Sequence, residues 1–390
     1  MFFKETTLQD WEALVAKQLK TDDIYSVLNK ENIEELEIKP YYSIENCKPL
    51  TLARNEENIH LVAPFHEIYA DEAFAFLIEE RPLKLKDKVY FYQNPKLRDL
   101  AEDQENRYMC LWDAFSDLEQ NGEWDTAVIS NLLKGSSERK LGVDIALYQN
   151  AGASMVQQLA IALLKAKELV EQEGVAVLDT LVFRNAIGSQ YFLEIAKIRA
   201  LKVLMNQLAK EYGKSNVPYI FSETSMRNKS IQDPENNLIR STLELASAMV
   251  AGSDAVFSNN YKLENPNSVS EEISFKQQVI LAYESIIDVF EDAFSGSYFV
   301  ENATRELAEK AWQLFVELEN QGGYIQLLKE GEIQKIVYQH AVKEQTWLDE
   351  GKIKLIGVNL YPKLEIQKEI SDLYDEKTLK KVRLAERYGA

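Results

Sequence analysis

Residues 179–221 read DTLVFRNAIGSQYFLEIAKIRALKVLMNQLAKEYGKSNVPYIF. The two ends, DTLVFR (179–184) and VPYIF (217–221), are short apolar runs rich in β-branched and aromatic residues. They lack polar alternation, as do strands of a parallel sheet covered on both faces. Between them, 190–211 sets Phe192, Ile195, Ala196, Leu201, Leu204 and Leu208 along one face of a 3.6-residue period. Gly213 follows, where a helix must stop. Strand, helix and strand in this order predict a βαβ unit with a parallel sheet.

The same rhythm extends in both directions. Further strands are predicted at 58–63 (NIHLVA), 88–92 (KVYFY), 107–112 (RYMCLW), 142–148 (GVDIALY), 254–257 (DAVF) and 287–291 (IDVFE). Runs this short can also be buried helix segments. Helices are predicted at 153–172, with Val156, Leu159, Ala160, Leu163 and Leu164 on one face and Gly174 beyond, and at 303–320. The latter carries Leu307, Ala311, Leu314, Phe315 and Leu318 as a stripe; Asn302 stands before it as a cap and Gly322-Gly323 after it. Ser268 with Glu271 fits a capping box. Eight strands with intervening helices predict a (β/α)8 barrel over 46–331, with a helical arm at 1–45 and a charged tail at 332–390. A doubly wound open sheet has the same rhythm and stays the alternative.

The 390 residues are ample for a core without disulfides. Lys and Arg number 44 against 63 Asp and Glu, a net charge of −19 that would repel a nucleic acid. Cys47 and Cys110 are too few for a disulfide framework, so a reducing, cytoplasmic setting is expected. The polar N-terminus has no secretory pattern, and Lys165 and Lys167 break the most apolar run, LAIALLKAKELV, so no membrane span is expected.

In a barrel the reacting groups stand after the strands. That rim reads His66-Glu67, Gln93-Asn94, Gln149-Asn150, Arg184-Asn185, Ser222-Glu223, Asn259-Asn260 and Asp292 with Ser295. Amides bind by hydrogen bonds but do not titrate, so the rim is poor in acid–base groups. Polar residues also cover strand ends for backbone reasons alone. Of three histidines, His60 lies in an apolar strand and reads as core, and His340 lies on a charged helix and reads as solvated. His66 beside Glu67 is the single candidate acid–base pair, the basis of a hydrolase or lyase reading. Arg227, Asn228 and Lys229 could grip an anion or equally be a solvated loop. No zinc spacing, phosphate loop or nucleophile elbow occurs.

Four segments carry more: YQNAGASMVQQLAIALLKAKELV (148–170), LVFRNAIGSQYFLEIAKIRALKVL (181–204), SETSMRNKSIQDPENNLIRSTLELASAMVAGSDAVF (222–257) and DAFSGSYFVENATRELAEKAWQLFVELENQGG (292–323). In order and spacing they resemble the barrel domain of the methylmalonyl-CoA mutase family, and ELEIKPYYS (35–43) looks like its lead-in. Residues 50–140 show little of it. The resemblance implies a barrel that holds an acyl-CoA along its axis. It also implies radical chemistry with adenosylcobalamin held by a separate domain, and in several bacterial forms a catalytic chain paired with an inactive related barrel.

Against that pattern the catalytic positions are altered. The family's Tyr-His-Ile-Arg-Glu-Ala-Gly-Ala-type segment reads Ala146-Leu147-Tyr148-Gln149-Asn150-Ala151-Gly152-Ala153, so Leu147 replaces a histidine. The Leu-His-Thr-Asn-type stretch reads Val256-Phe257-Ser258-Asn259, so Phe257 replaces another. The Arg- and Gln-rich grip on CoA is not recognisable after Tyr42, nor is the Asp-x-His-x-x-Gly cobalamin motif. The expectation is a non-catalytic small subunit that pairs with a catalytic large mutase chain and binds no cofactor itself, the cobalamin residing in the partner. The arm and the tail from 341 onward are expected at the interface. Leu147, Gln149, Asn150, Asn185, Ser222, Arg227, Phe257 and Asn259 would be vestigial rim positions. The alternative is a free-standing acyl-CoA or anion-binding barrel, for which Arg184, Arg227 and the amide-rich rim argue.

Overall fold

The structure is a computed structural model describing residues 6–81, 85–102, 105–362 and 372–389. Eight parallel strands form a nearly closed (β/α)8 barrel: β1 His60–Pro64, β2 Ala75–Ile78, β3 Val89–Tyr92, β4 Arg107–Cys110, β5 Leu141–Asp144, β6 Leu181–Ile187, β7 Tyr219–Thr224 and β8 Ala255–Phe257. The ladder runs β4-β3-β2-β1-β8-β7-β6-β5. The β4–β5 seam is joined by isolated parallel bridges, Met109 to Arg139 and Asp113 to Gly142. Gly142 is required there, because a Cβ would lie 2.4 Å from the Leu111 carbonyl oxygen.

The arm holds α1 (Leu8–Leu19) and α2 (Ile24–Leu28). Around the barrel follow α3 (Ser116–Asn121), α4 (Thr126–Leu133), α5 (Ala146–Ala151), α6 (Met155–Glu173), α7 (Tyr191–Glu211), α8 (Pro234–Val250) and α9 (Ser268–Tyr283). Then come α10 (Tyr298–Asn320), α11 (Gly323–Glu330) and α12 (Glu332–Asp349), with α10 packed across α6 and α7. Among the described residues no helix is long and apolar enough to cross a membrane.

Four details of the sequence reading change. The run 142–148 is a strand only to Asp144; the Asp144 carboxylate then accepts from the Leu147 amide at 3.1 Å and the chain turns into α5. No strand forms at 287–291, where Ile286 takes a left-handed φ of 53° and Val289 and Phe290 face solvent. The eighth strand is instead AFLI (75–78). The box at α9 is Asn267 with Ser270, one residue earlier than Ser268 with Glu271. Asn302 lies inside α10, which begins at Tyr298, and donates to the Tyr298 carbonyl at 2.7 Å.

The arm seats on its own barrel. Glu34 accepts from the first amide of α6, Met155, at 2.6 Å, and Glu306 of α10 accepts from the Glu37 amide at 2.9 Å. The tail folds back likewise: Leu355 and Val358, from the apolar run KLIGVNLY, are buried with Leu348 and Leu384. Tail residues 363–371 lie outside the described residues.

Candidate functional site at the barrel mouth

Side chains alternate in and out along each strand. Inside the barrel Val62, Ala75, Val89, Phe91, Met109, Leu111, Val182, Tyr219, Phe221 and Ala255 form one buried cluster, with Leu77 and Phe257 against it. The aromatic rings cross the axis. Phe91 stands 5.0 Å from Phe221 and 6.4 Å from Tyr219, and Phe257 stacks on Phe221 at 6.4 Å between centroids. Among the described residues the axis is filled by this packed cluster.

Polar groups close both ends. At the strand N-termini the His60 Nδ1 and the Tyr219 hydroxyl share a hydrogen bond of 2.9 Å. Burial pushes the His60 imidazole down to about 4, against the pull of Glu56. The core reading of His60 therefore stands. At the mouth, Arg184 donates to Glu223 at 2.7 and 3.0 Å and faces Asp144 at 3.5 Å. Burial opposes the Arg184 charge, but these two carboxylates hold it protonated.

Asn185 and Ser222 are not rim groups. Strands β6 and β7 run past them to Ile187 and Thr224, and both side chains point outward, away from the axis. Ser222 bonds Ser253 at 2.8 Å. The other positions stand on the rim but are occupied. Asn150 Oδ1 accepts from Ser225 Oγ at 3.0 Å and the Met226 amide at 2.8 Å. Gln149 Oε1 accepts from Gln158, and Asn259 donates to the Thr224 carbonyl at 2.7 Å. Leu147 packs against the main core and Phe257 inside the barrel.

The anion grip also dissolves. Arg227 is buried and donates to Glu344 of α12 at 2.9 Å and to the Val382 carbonyl at 2.7 Å. Lys229 donates to both oxygens of Glu244 at 2.6 and 2.7 Å, and Asn228 donates to the same carboxylate. Arg227 thereby straps the tail over the rim, where Val382 and Leu384 donate to the carbonyls of Asn150 and Arg227. A cavity of about 620 Å³ remains between rim and tail, with Gln149, Arg227, Arg240, Glu344, Trp347 and Lys352 in its wall.

His340 is half-buried rather than solvated; its Nδ1 meets the Gly152 carbonyl at 2.7 Å. His66 is exposed, its Nδ1 accepting from the Ile68 amide at 3.3 Å, and the Glu67 side chain lies outside the described residues. Among the described residues, His60 and His340 are committed to internal hydrogen bonds and His66 is exposed. No group of three or more metal-binding side chains occurs among them. The site residues the sequence reading missed are Asp144, hidden in a run read as strand, and Glu344 and Val382, more than a hundred residues from their partner Arg227.

The fold is a (β/α)8 barrel of the TIM type with a filled axis. The methylmalonyl-CoA mutase family model matches residues 138–387, and the chain belongs to that family. It is 32% identical over 237 residues to the methylmalonyl-CoA mutase of Rhizobium meliloti (strain 1021), covering 58% of this chain and 33% of that protein. The methylmalonyl-CoA mutase small subunit of Porphyromonas gingivalis is 33% identical over 239 residues, covering 57% of this chain and 38% of the relative. The large subunit from the same organism is 29% identical over 225 residues, 55% and 32% respectively. The chain thus spans about a third of the length of the relatives it matches.

Proposed function

We propose that this chain is the non-catalytic small subunit of an adenosylcobalamin-dependent methylmalonyl-CoA mutase, pairing with a catalytic large chain and stabilising it. The observation that carries the reading is the filled axis. Phe91, Tyr219, Phe221 and Phe257 occupy the space where a pantetheine arm would run. Leu147 and Phe257, where the catalytic pattern has histidines, support it independently, since neither side chain can hydrogen-bond a substrate carbonyl. The small-subunit relative in Porphyromonas gingivalis supports it as well. In this reading adenosylcobalamin sits in the partner chain, and the complex resides in the cytoplasm.

The free-standing acyl-CoA or anion-binding module, motivated by Arg184, Arg227 and the amide-rich rim, loses both arginines, which are taken up by internal carboxylates. The test is calorimetry of the purified chain with methylmalonyl-CoA, followed by an assay with added adenosylcobalamin. The expected result is no heat at millimolar ligand and no succinyl-CoA. Turnover by the chain alone would overturn the reading.

A further inference from the structure

Helices α8 and α9 lie side by side and expose much apolar surface. Their buried faces mix apolar residues with an unusual number of polar ones: Asn237, Ser241, Glu244 and Ser247 on α8, and Ser270, Ser274, Gln277 and Gln278 on α9. Most of their exposed positions are apolar: Ile239 and Leu243 on α8, and Val269, Ile273, Ile280 and Tyr283 on α9, exposed by 36 to 75%. A surface helix ordinarily turns its apolar stripe inward.

The six form one patch. Gln277 donates to the Leu238 carbonyl and to Thr242 Oγ1, both at 2.7 Å, fixing the facing sides of the two helices. Ile239 and Leu243 each follow one residue after those contacts, about 100° around the helix, and so turn outward. Ile273 and Ile280 lie four before and three after Gln277, on the flank beside them. Together the six expose on the order of 600 Å² of side chain, at the top of the range for a monomer's largest patch and near the ~800 Å² one partner contributes to a standard interface.

Charge decides the occupant. Glu264, Glu272 and Glu284 are exposed around the patch, Lys276 within it is paired with Glu72, and the whole chain carries −19. A second copy would set acid against acid. We infer that the α8–α9 face docks the catalytic barrel chain, through an apolar centre ringed by lysine and arginine on that chain. This rests on the small-subunit reading and adds the surface that serves it.

The test uses the tagged full chain and the catalytic chain copurified from the same cells, recognised by its mass and cobalamin absorbance. Leu243→Asp and Ile273→Asp should each lower recovery at least tenfold with melting temperature unchanged, and Val27→Asp on α2 should not. In the wild-type complex, amides of 239–243 and 269–283 should gain hydrogen-exchange protection. Undiminished recovery with both helix variants would overturn the surface while leaving the small-subunit reading intact. Failure of the wild-type chain to recover any cobalamin-binding chain would overturn that reading, and the docking surface with it. A wild-type homodimer that the helix variants dissociate would overturn the choice of occupant.

Discussion

Lys165, which interrupts the most apolar run of the sequence, is completely buried. Its Nζ lies 2.6 Å from Asp113, 2.5 Å from Glu119 and 3.0 Å from the Asp144 carbonyl, so one ammonium ties both strands of the weakly laddered β4–β5 seam. The Tyr148 and Tyr324 hydroxyls complete the cluster by donating to Glu119. Removing one member of such a group strands the opposite charges. Lys165→Met should cost ~3–5 kcal/mol in urea unfolding. Gly142→Ala forces β4 away from β5 and should cost ~1–3 kcal/mol by the same measurement. The sequence showed Lys165 only as a break in hydrophobicity. Its partners come from an elongated loop and a short helix that no local pattern pairs with it.

The legible elements were those with caps and a long stripe. Helices α6 and α7 begin and end within two residues of their expected limits. Strand β2 was missed because it is only four residues long, AFLI, and follows an acidic turn. The run 287–291 misled because Val289 and Phe290 are exposed rather than buried. Strand orientation was the larger gap: Arg184 and Asn185 are neighbours in sequence, yet one faces the mouth and the other faces away from it.

Three contacts between elements give predictions. Burial raises the Glu34 carboxyl to about 7 from 4.5, partly offset by His340 and the Met155 amide. The folded value is raised, so the stability it contributes is full below pH 4.5 and is lost as pH rises through 7. Glu34→Gln should flatten that part of the urea-midpoint profile between pH 5 and pH 8. His60 runs the other way: its folded value is depressed to about 4 from 6.5, so its contribution is present above pH 6.5 and lost on acidification. Arg227→Gln unties the tail from the rim. Trypsin should then cut at the exposed Lys380 and Lys381 several-fold faster, while the barrel core stays resistant.

For the whole molecule, the class of fold was legible from rhythm alone, and the altered histidine positions from the resemblance. The state of the axis was not. Whether a barrel is open depends on which alternate residues of eight strands face inward and on their summed volume. Phe91, Phe221 and Phe257 come from segments far apart in the chain. Once assembled, they leave a barrel filled along its axis, with apolar residues of α8 and α9 exposed on its outside. The most direct test is native mass spectrometry of the chain purified gently from its own cells. The account predicts a one-to-one complex with a larger, cobalamin-binding barrel chain. A cobalamin-free monomer or homodimer under the same conditions would contradict it.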